Sequence, residues 1–125
     1  MMEFYICRRC GNLVEKIVKA GGTLVCCGEP MEKLEANSTV AATEKHYPVV
    51  ELKGNVVKVK VSDVTHPMLP EHWIQWIALE TEKGVQRVDL EPGEEPVAEF
   101  ALADGDKAVA AYEHCNLHGL WKTDI

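Results

Sequence analysis

A chain of 125 residues has room for one ordinary domain, or for a small metal-stabilised domain joined to a larger one. Its composition, 46% hydrophobic and 26% charged, favours a folded soluble protein over a disordered one. The formal net charge of -7 and the lack of any Lys/Arg run argue against a nucleic-acid partner. The sequence shows neither a signal-peptide pattern nor an apolar stretch of membrane-spanning length, so we expect a cytoplasmic protein with no membrane partner.

The beginning of the chain predicts a small domain of its own. Leu13–Val18 has the pattern of a short strand, a Gly-Gly turn follows, and Thr23–Val25 has the pattern of the returning strand of a hairpin. A segment this short cannot build a self-sufficient hydrophobic core, because chains below roughly 40 residues usually need a metal, disulfides or a partner. A bound metal would supply the missing stability.

Four of the five cysteines lie in this segment: Cys7, Cys10, Cys26 and Cys27. Cys7 and Cys10 form a CxxC pair, a spacing that lets two thiolates of one tight turn reach the same metal ion. Adjacent side chains diverge along an extended backbone, so the Cys26-Cys27 pair predicts a distorted tetrahedral site. A vicinal disulfide or a CxxC dithiol for thiol exchange would leave the other cysteines unexplained. Metal ligation is the stronger interpretation, and four thiolates suit either iron or zinc.

The polar stretch Glu35–Ser38 loses apolar periodicity, and we place within it the boundary between a first domain, 1–36, and a second domain, 37–125. Short strands at roughly 8–12 residue spacing follow, with no convincing helix between them. The predicted strands are Tyr47–Leu52, Val56–Val61, Trp73–Glu80, Val85–Leu90, Pro96–Leu102 and Lys107–Tyr112. This pattern is typical of an antiparallel β-sandwich or barrel.

All five histidines and the fifth cysteine belong to the second domain: His46, His66, His72, His114, His118 and Cys115. Cys115 and His118 have the C-x-x-H spacing of metal ligands, and a proline-containing loop separates His66 from His72. One imidazole alone is more often a hydrogen-bonded structural residue, but this many candidate ligands in one small domain indicate a metal site. His114 directly precedes Cys115 and would point to the opposite face of a strand, so we expect it at the surface and outside the ligand set.

Short motifs around these residues match a known family. The four-cysteine module resembles desulforedoxin. Three segments of the second domain resemble the superoxide reductase signature: Glu44-Lys45-His46, His66-Pro67-Met68 through His72-Trp73-Ile74, and Cys115-Asn116-Leu117-His118-Gly119. The resemblance covers essentially the whole chain, with every motif present and in order. The sequence is therefore similar to the desulfoferrodoxins, the two-iron superoxide reductases.

This resemblance implies an immunoglobulin-like β-sandwich for the second domain and two metal sites. The implied ligands of a catalytic iron are four equatorial histidines and one axial cysteine: His46, His66, His72, His118 and Cys115. The implied ligands of a second iron, or of zinc, are Cys7, Cys10, Cys26 and Cys27. The family pattern also implies that Glu44 can occupy the sixth iron position in the oxidised state, and that Lys45 places a positive charge beside it.

The implied activity is reduction of superoxide to hydrogen peroxide without dismutation, so an external electron donor is required. In the family this donor is commonly a rubredoxin-like protein, and a homodimer is expected. One alternative is a rubredoxin-like electron carrier without catalytic activity, which would leave the histidines of the second domain without a purpose. A zinc-stabilised binding module with no redox activity is the other.

Overall fold

The structure is a computed structural model and describes residues 1–39 and 46–125. Within these residues every regular element is a β-strand, and the chain divides into two compact units, Met1–Glu35 and Ala36–Ile125. The mainly β fold predicted from the sequence is confirmed. Among the described residues, no helix has the length and apolarity needed to span a bilayer.

The first unit contains five very short strands: β1 Phe4–Ile6, β2 Leu13–Glu15, β3 Val25–Cys26, β4 Glu29–Pro30 and β5 Glu32–Lys33. They form a three-stranded sheet in the order β2-β1-β5 and a separate β3-β4 pair. The predicted hairpin between Leu13–Val18 and Thr23–Val25 is therefore wrong, because β2 pairs with β1 and β3 pairs with β4. Its buried hydrophobic residues are few: Met2, Phe4, Cys7 and Leu34. So small a core needs further stabilisation, as a metal would provide.

The described part of the second unit contains seven strands: β6 Pro48–Lys53, β7 Val56–Val61, β8 Ile74–Thr81, β9 Val85–Asp89, β10 Val97–Ala101, β11 Ala108–Cys115 and β12 Gly119–Asp124. They form a three-stranded sheet, β10-β7-β6, and a four-stranded sheet, β12-β11-β8-β9. All neighbouring strands are antiparallel. Two antiparallel sheets of three and four strands make an immunoglobulin-like sandwich, as the family resemblance implies. Strand β12 is the one that the sequence pattern does not predict.

Side-chain alternation along the strands builds the core between the two sheets. On β7 the three valines Val57, Val59 and Val61 are buried, and the lysines between them are exposed. Apolar side chains of β8, β10 and β11 complete the cluster: Ile74, Ile77, Leu79, Ala98, Phe100, Ala111 and Cys115. A cysteine at the end of β11 is thus part of the hydrophobic core.

The predicted iron ligands lie at or near the ends of these strands. His46 precedes β6, His66 and His72 belong to the connection between β7 and β8, and Cys115 is the last residue of β11. His118 belongs to the short turn that joins β11 to β12. Because β11 pairs with both β8 and β12, with Cys115 opposite Ile74 and Gly119, these ends meet.

We expect the core of the second unit to dominate its stability. Leu79 is fully buried, so Leu79→Ala leaves a cavity and should lower the free energy of unfolding by about 3 kcal/mol. Leu52 is 60% exposed, and Leu52→Ala is the matched control, with an expected change within about 0.5 kcal/mol. Denaturant unfolding of both variants in the same metal state checks the difference, and equal losses would contradict the assignment of the core.

Candidate metal centres

Five side chains of the second unit converge on one point: His46, His66, His72, His118 and Cys115. Their donor atoms all lie within 4.8 Å of one another. The four imidazoles form a closed ring in the order His46, His66, His72, His118, with neighbouring ring centroids 4.8–5.1 Å apart and ring planes at 75–89° to each other. His46 and His72 therefore face each other across the ring, as do His66 and His118.

The nitrogen spacing tests whether this ring fits a metal ion. His46 Nε2 is 3.2 Å from His66 Nε2 and 3.1 Å from His118 Nδ1. Two nitrogens that each bind one ion at about 2.1 Å, at right angles, would be about 3.0 Å apart. Cys115 Sγ lies 3.9 Å from His118 Nδ1 and adds a thiolate to the set. Four imidazoles and one thiolate on one centre fit an iron ion.

Hydrogen bonds and stacking hold the imidazoles in these orientations. His66 Nδ1 lies 2.7 Å from the carbonyl of Pro67, to which it donates, and this leaves Nε2 with a free lone pair toward the centre of the ring. The fully buried Trp121 stacks on His46 with ring centroids 4.9 Å apart. Its indole N–H also donates to the carbonyl of His118 at 3.1 Å, so one side chain supports two neighbouring donors.

Burial shifts the pKa of two of these donors, His66 and Cys115. It lowers the pKa of His66 to about 4, and positive charge on the neighbouring histidines would act in the same direction. The imidazole is therefore neutral at pH 7 and ready to bind a metal. Burial also raises the pKa of the Cys115 thiol, although the backbone N–H groups of His118 and Leu117 donate to its sulfur and oppose this. Metal binding must displace the thiol proton.

The two sides of the cluster differ in access to solvent. Cys115 is fully buried in the core, and His46 and His66 are also buried. His72 and His118 are only half-buried. Among the described residues the cluster is therefore more exposed at His72 and His118, whereas the sulfur lies on the side of the sandwich core.

Two neighbours of Cys115 on β11 are buried but lie outside the donor cluster. His114 is 3% exposed, its Nδ1 lies 2.7 Å from Gln75 Oε1, and its ring stacks on Trp76. The expectation that His114 is a surface residue is wrong, because its side chain packs against Gln75 and Trp76 of β8. Glu113 lies two residues before Cys115, and burial raises the pKa of its carboxyl well above the usual range.

Three further residues of the motifs have different outcomes. Glu44 and Lys45 lie outside the described residues, and the roles implied for them stay predictions. The Met68 sulfur accepts a hydrogen bond from the Ile74 N–H at 3.4 Å.

The four cysteines of the first unit form a second cluster, with sulfurs within 4.8 Å of one another. Cys10 Sγ lies 3.6 Å from Cys26 Sγ, close to the roughly 3.8 Å expected for two thiolates at 2.3 Å from one tetrahedral ion. All four are free cysteines, so Cys26 and Cys27 form no vicinal disulfide. The cluster fits a four-thiolate metal site of the kind that iron or zinc occupies.

A left-handed backbone conformation accompanies the convergence of the two adjacent cysteine sulfurs, those of Cys26 and Cys27. Cys27 has φ of 53° and Gly28 has φ of 74°, so the chain turns sharply where β3 ends. The backbone at Cys27 is left-handed and not extended, and the distortion of the tetrahedral angle stays a prediction. The Cys10 N–H donates to Cys7 Sγ and is the main reason that the pKa of Cys7 falls to about 7. Hydrogen bonding with Cys10 is the main cause that raises the pKa of Cys27 to about 12.

Arginines of the CxxC turn are paired within the unit. Arg8 Nε lies 2.9 Å from Glu32 Oε2, and Arg9 Nη1 lies 3.1 Å from Glu29 Oε1. All four side chains are more than half exposed, so each pair contributes no more than about 1 kcal/mol. Both arginines are thus surface residues that are paired with carboxylates of β4 and β5.

Comparison with known proteins agrees with this two-site arrangement. The family profile described as desulfoferrodoxin matches residues 38–124, and the profile of the desulfoferrodoxin N-terminal domain matches residues 1–34. The chain belongs to the desulfoferrodoxin family. The family resemblance stated from the motifs is thereby confirmed.

Relatives within the desulfoferrodoxin family match nearly end to end. The desulfoferrodoxin of Nitratidesulfovibrio vulgaris is 48% identical over 122 residues, which cover 98% of this chain and 95% of the relative. A desulfoferrodoxin homolog of Archaeoglobus fulgidus is 46% identical over 123 residues, 98% and 97% of the two chains. The crystal structure of the superoxide reductase from Treponema pallidum has a TM-score of 0.83 and 40% identity, and the match covers 99% of both chains.

We expect two metal ions per chain, each lost independently. Cys115→Ser removes the only thiolate of the five-donor cluster and should leave one metal ion, held by the four cysteines. Cys10→Ser should leave one ion at the five-donor cluster, because the two clusters share no residue. Metal analysis and visible absorption of the purified variants check this. Loss of both metals in Cys115→Ser, with the protein still folded, would contradict independent sites.

Proposed function

We propose that this protein is a superoxide reductase, in which the cluster of His46, His66, His72, His118 and Cys115 holds the catalytic iron. When bound, ferrous iron supplies the electron that, with two protons, converts superoxide to hydrogen peroxide, and an external donor then replaces that electron. The convergence of five donors at strand ends is the observation that carries this proposal. The Treponema pallidum relative, described as a superoxide reductase, supports the assignment.

The charges of the donor set favour a small anion as the substrate. Four neutral imidazoles and one thiolate contribute a charge of about -1, so the site stays positive around a divalent ion. The chain as a whole carries -7 and repels superoxide at long range, which makes a local positive focus necessary. The half-buried His72 and His118 border the side from which the anion can approach.

Burial of Cys115 has a separate role. Its sulfur lies in the apolar core, where solvent cannot reach it, and the N–H groups of Leu117 and His118 donate to it. These donors stabilise the thiolate once its proton has left and hold it at one position. The chain thus keeps the thiolate on the closed side of the cluster.

The remaining assignments belong to the same proposal. Residues 1–36 form the four-cysteine metal domain, and residues 37–125 form the catalytic domain. We assign a structural role to the four-cysteine site, because a closed thiolate cage is first of all a folding device. The electron donor is a rubredoxin-like protein, the chain forms a homodimer, and its compartment is the cytoplasm, where its five free cysteines would stay reduced.

Rapid mixing of the reduced protein with superoxide tests the proposed reaction. Wild type and Cys10→Ser should consume superoxide as ferrous iron is oxidised, with hydrogen peroxide formed and no dioxygen released. Cys115→Ser should be inactive. Release of dioxygen would indicate dismutation instead of reduction. Full activity in Cys115→Ser would show that the thiolate is not needed for the reaction. A colourless protein that binds only zinc would favour the alternative of a zinc-stabilised binding module.

Lys45→Ala should lower the second-order rate constant for superoxide by about tenfold and weaken its dependence on ionic strength, because the positive side chain attracts the anion. Lys53→Ala is the matched control: it changes the net charge equally, but Lys53 is exposed at the opposite end of β6 from His46. Stopped-flow measurements at several salt concentrations check both variants. Equal rate constants for the two variants would remove Lys45 from the mechanism.

A further inference from the structure

The side chain of Asn116 joins the turn after Cys115 to the loop that carries His72. Its Oδ1 accepts a hydrogen bond from the Trp73 N–H at 2.9 Å, and its Nδ2 donates to the carbonyl of Glu71 at 3.0 Å. The Asn116 backbone N–H also donates to the carbonyl of Trp73, at 3.2 Å. Three hydrogen bonds therefore reach the two residues on either side of His72.

The loop that carries His72 depends on such cross-links for its position. His72 and Leu69 exchange two backbone hydrogen bonds of 2.9 and 3.0 Å, which close a tight turn but do not attach it to a strand. A neighbouring loop contributes two more hydrogen bonds. The Gly93 N–H donates to the Met68 carbonyl, and the Trp73 indole N–H donates to the Leu90 carbonyl. Asn116, by contrast, is bonded directly to Cys115 and so ties the loop to another donor of the cluster.

We propose that Asn116 is a positioning residue of the five-donor cluster. It fixes the His72 imidazole relative to the Cys115 sulfur, so that both face the same point before a metal ion arrives. His72 lies opposite His46 in the ring, and its placement decides whether the ring closes around one ion. The inference rests on the proposed iron site, but it concerns metal affinity and ligand geometry, and not the reaction with superoxide.

Side chains that orient metal ligands typically change metal affinity by 10–100-fold when they are removed. We therefore expect Asn116→Ala to weaken metal binding at the five-donor cluster by 10–100-fold. The visible absorption of the ferric thiolate should also shift, because the geometry at Cys115 is no longer fixed. The four-cysteine site of the same molecule should keep its affinity, which makes it an internal standard.

Thr81 provides a matched control at the other end of β8, because it is Ile74, at the start of that strand, that pairs with Cys115. The Thr81 hydroxyl donates to Asp106 Oδ2 at 2.7 Å and accepts from the Gly84 N–H at 3.0 Å, so its side chain makes two hydrogen bonds, as that of Asn116 does. Neither partner is a metal donor. Thr81→Val removes both bonds, keeps the shape of the side chain, and should leave the affinity of the five-donor cluster at the wild-type value.

The experiment titrates the metal-free full-length variants with ferrous iron under anaerobic conditions, in competition with a chelator, and records thermal unfolding in parallel. Selective loss of affinity in Asn116→Ala, with none in Thr81→Val, supports the positioning role. Wild-type affinity in a folded Asn116→Ala, or equal losses in both variants, overturns it.

A second substitution covers the case in which Asn116→Ala does not fold. Asn116→Asp keeps the acceptor for the Trp73 N–H and loses the donor to the Glu71 carbonyl. Weakened iron binding in this variant supports the inference, and unchanged binding overturns it. If wild type binds iron at the cluster but does not reduce superoxide, the proposed function fails while the role of Asn116 stands.

Discussion

The structure depends on one demanding arrangement: four imidazoles and one thiol hold their donor atoms within 4.8 Å of each other. Protonated imidazoles at this distance would repel one another, so the histidines must be neutral. Burial achieves this for His66, whose pKa falls to about 4. Nitrogen atoms 3.1–3.2 Å apart then direct their lone pairs toward a common centre. A metal ion at that centre can bind several lone pairs at once, whereas a proton cannot.

The β-sandwich makes the arrangement possible because strand ends are rigid and can be brought together from distant parts of the sequence. Cys115 ends β11, which pairs with β8 on one side and with β12 on the other. The connections that enter β6 and β8 bring the three histidines His46, His66 and His72 to the same place. Trp121 then links two of the donors, since it stacks on His46 and donates to the carbonyl of His118. The core that stabilises the sandwich also holds the site in shape.

The parts of the fold that follow local patterns could be predicted from the sequence. Strict alternation in Val56–Val61 predicts β7 with the bounds that the structure has, and ligand spacing drew attention to Cys115 and His118. Strand β12 is missed because Leu120 and Trp121 are adjacent and both buried, so the alternation that marks a half-buried strand is absent. The pairing of the short strands in the first unit could not be predicted, because segments of two or three residues carry no register information.

Contacts between distant residues were also beyond the sequence pattern. His114 was expected at the surface, but its environment depends on Gln75 and Trp76, which belong to another strand. Asn116 reaches Glu71 and Trp73 across more than forty positions of the chain, and nothing in its immediate neighbourhood marks it as a support for His72. Local motifs can therefore name the candidate ligands, whereas the residues that orient them emerge only from the fold.

The central claim is that five side chains hold one iron ion, and anomalous diffraction at the iron edge tests it most directly. One iron peak in the second domain, within about 2.0–2.4 Å of a nitrogen from each of His46, His66, His72 and His118 and of the Cys115 sulfur, is the expected result. An iron peak bound by fewer of these donors, or separate peaks that divide them, would contradict the claim.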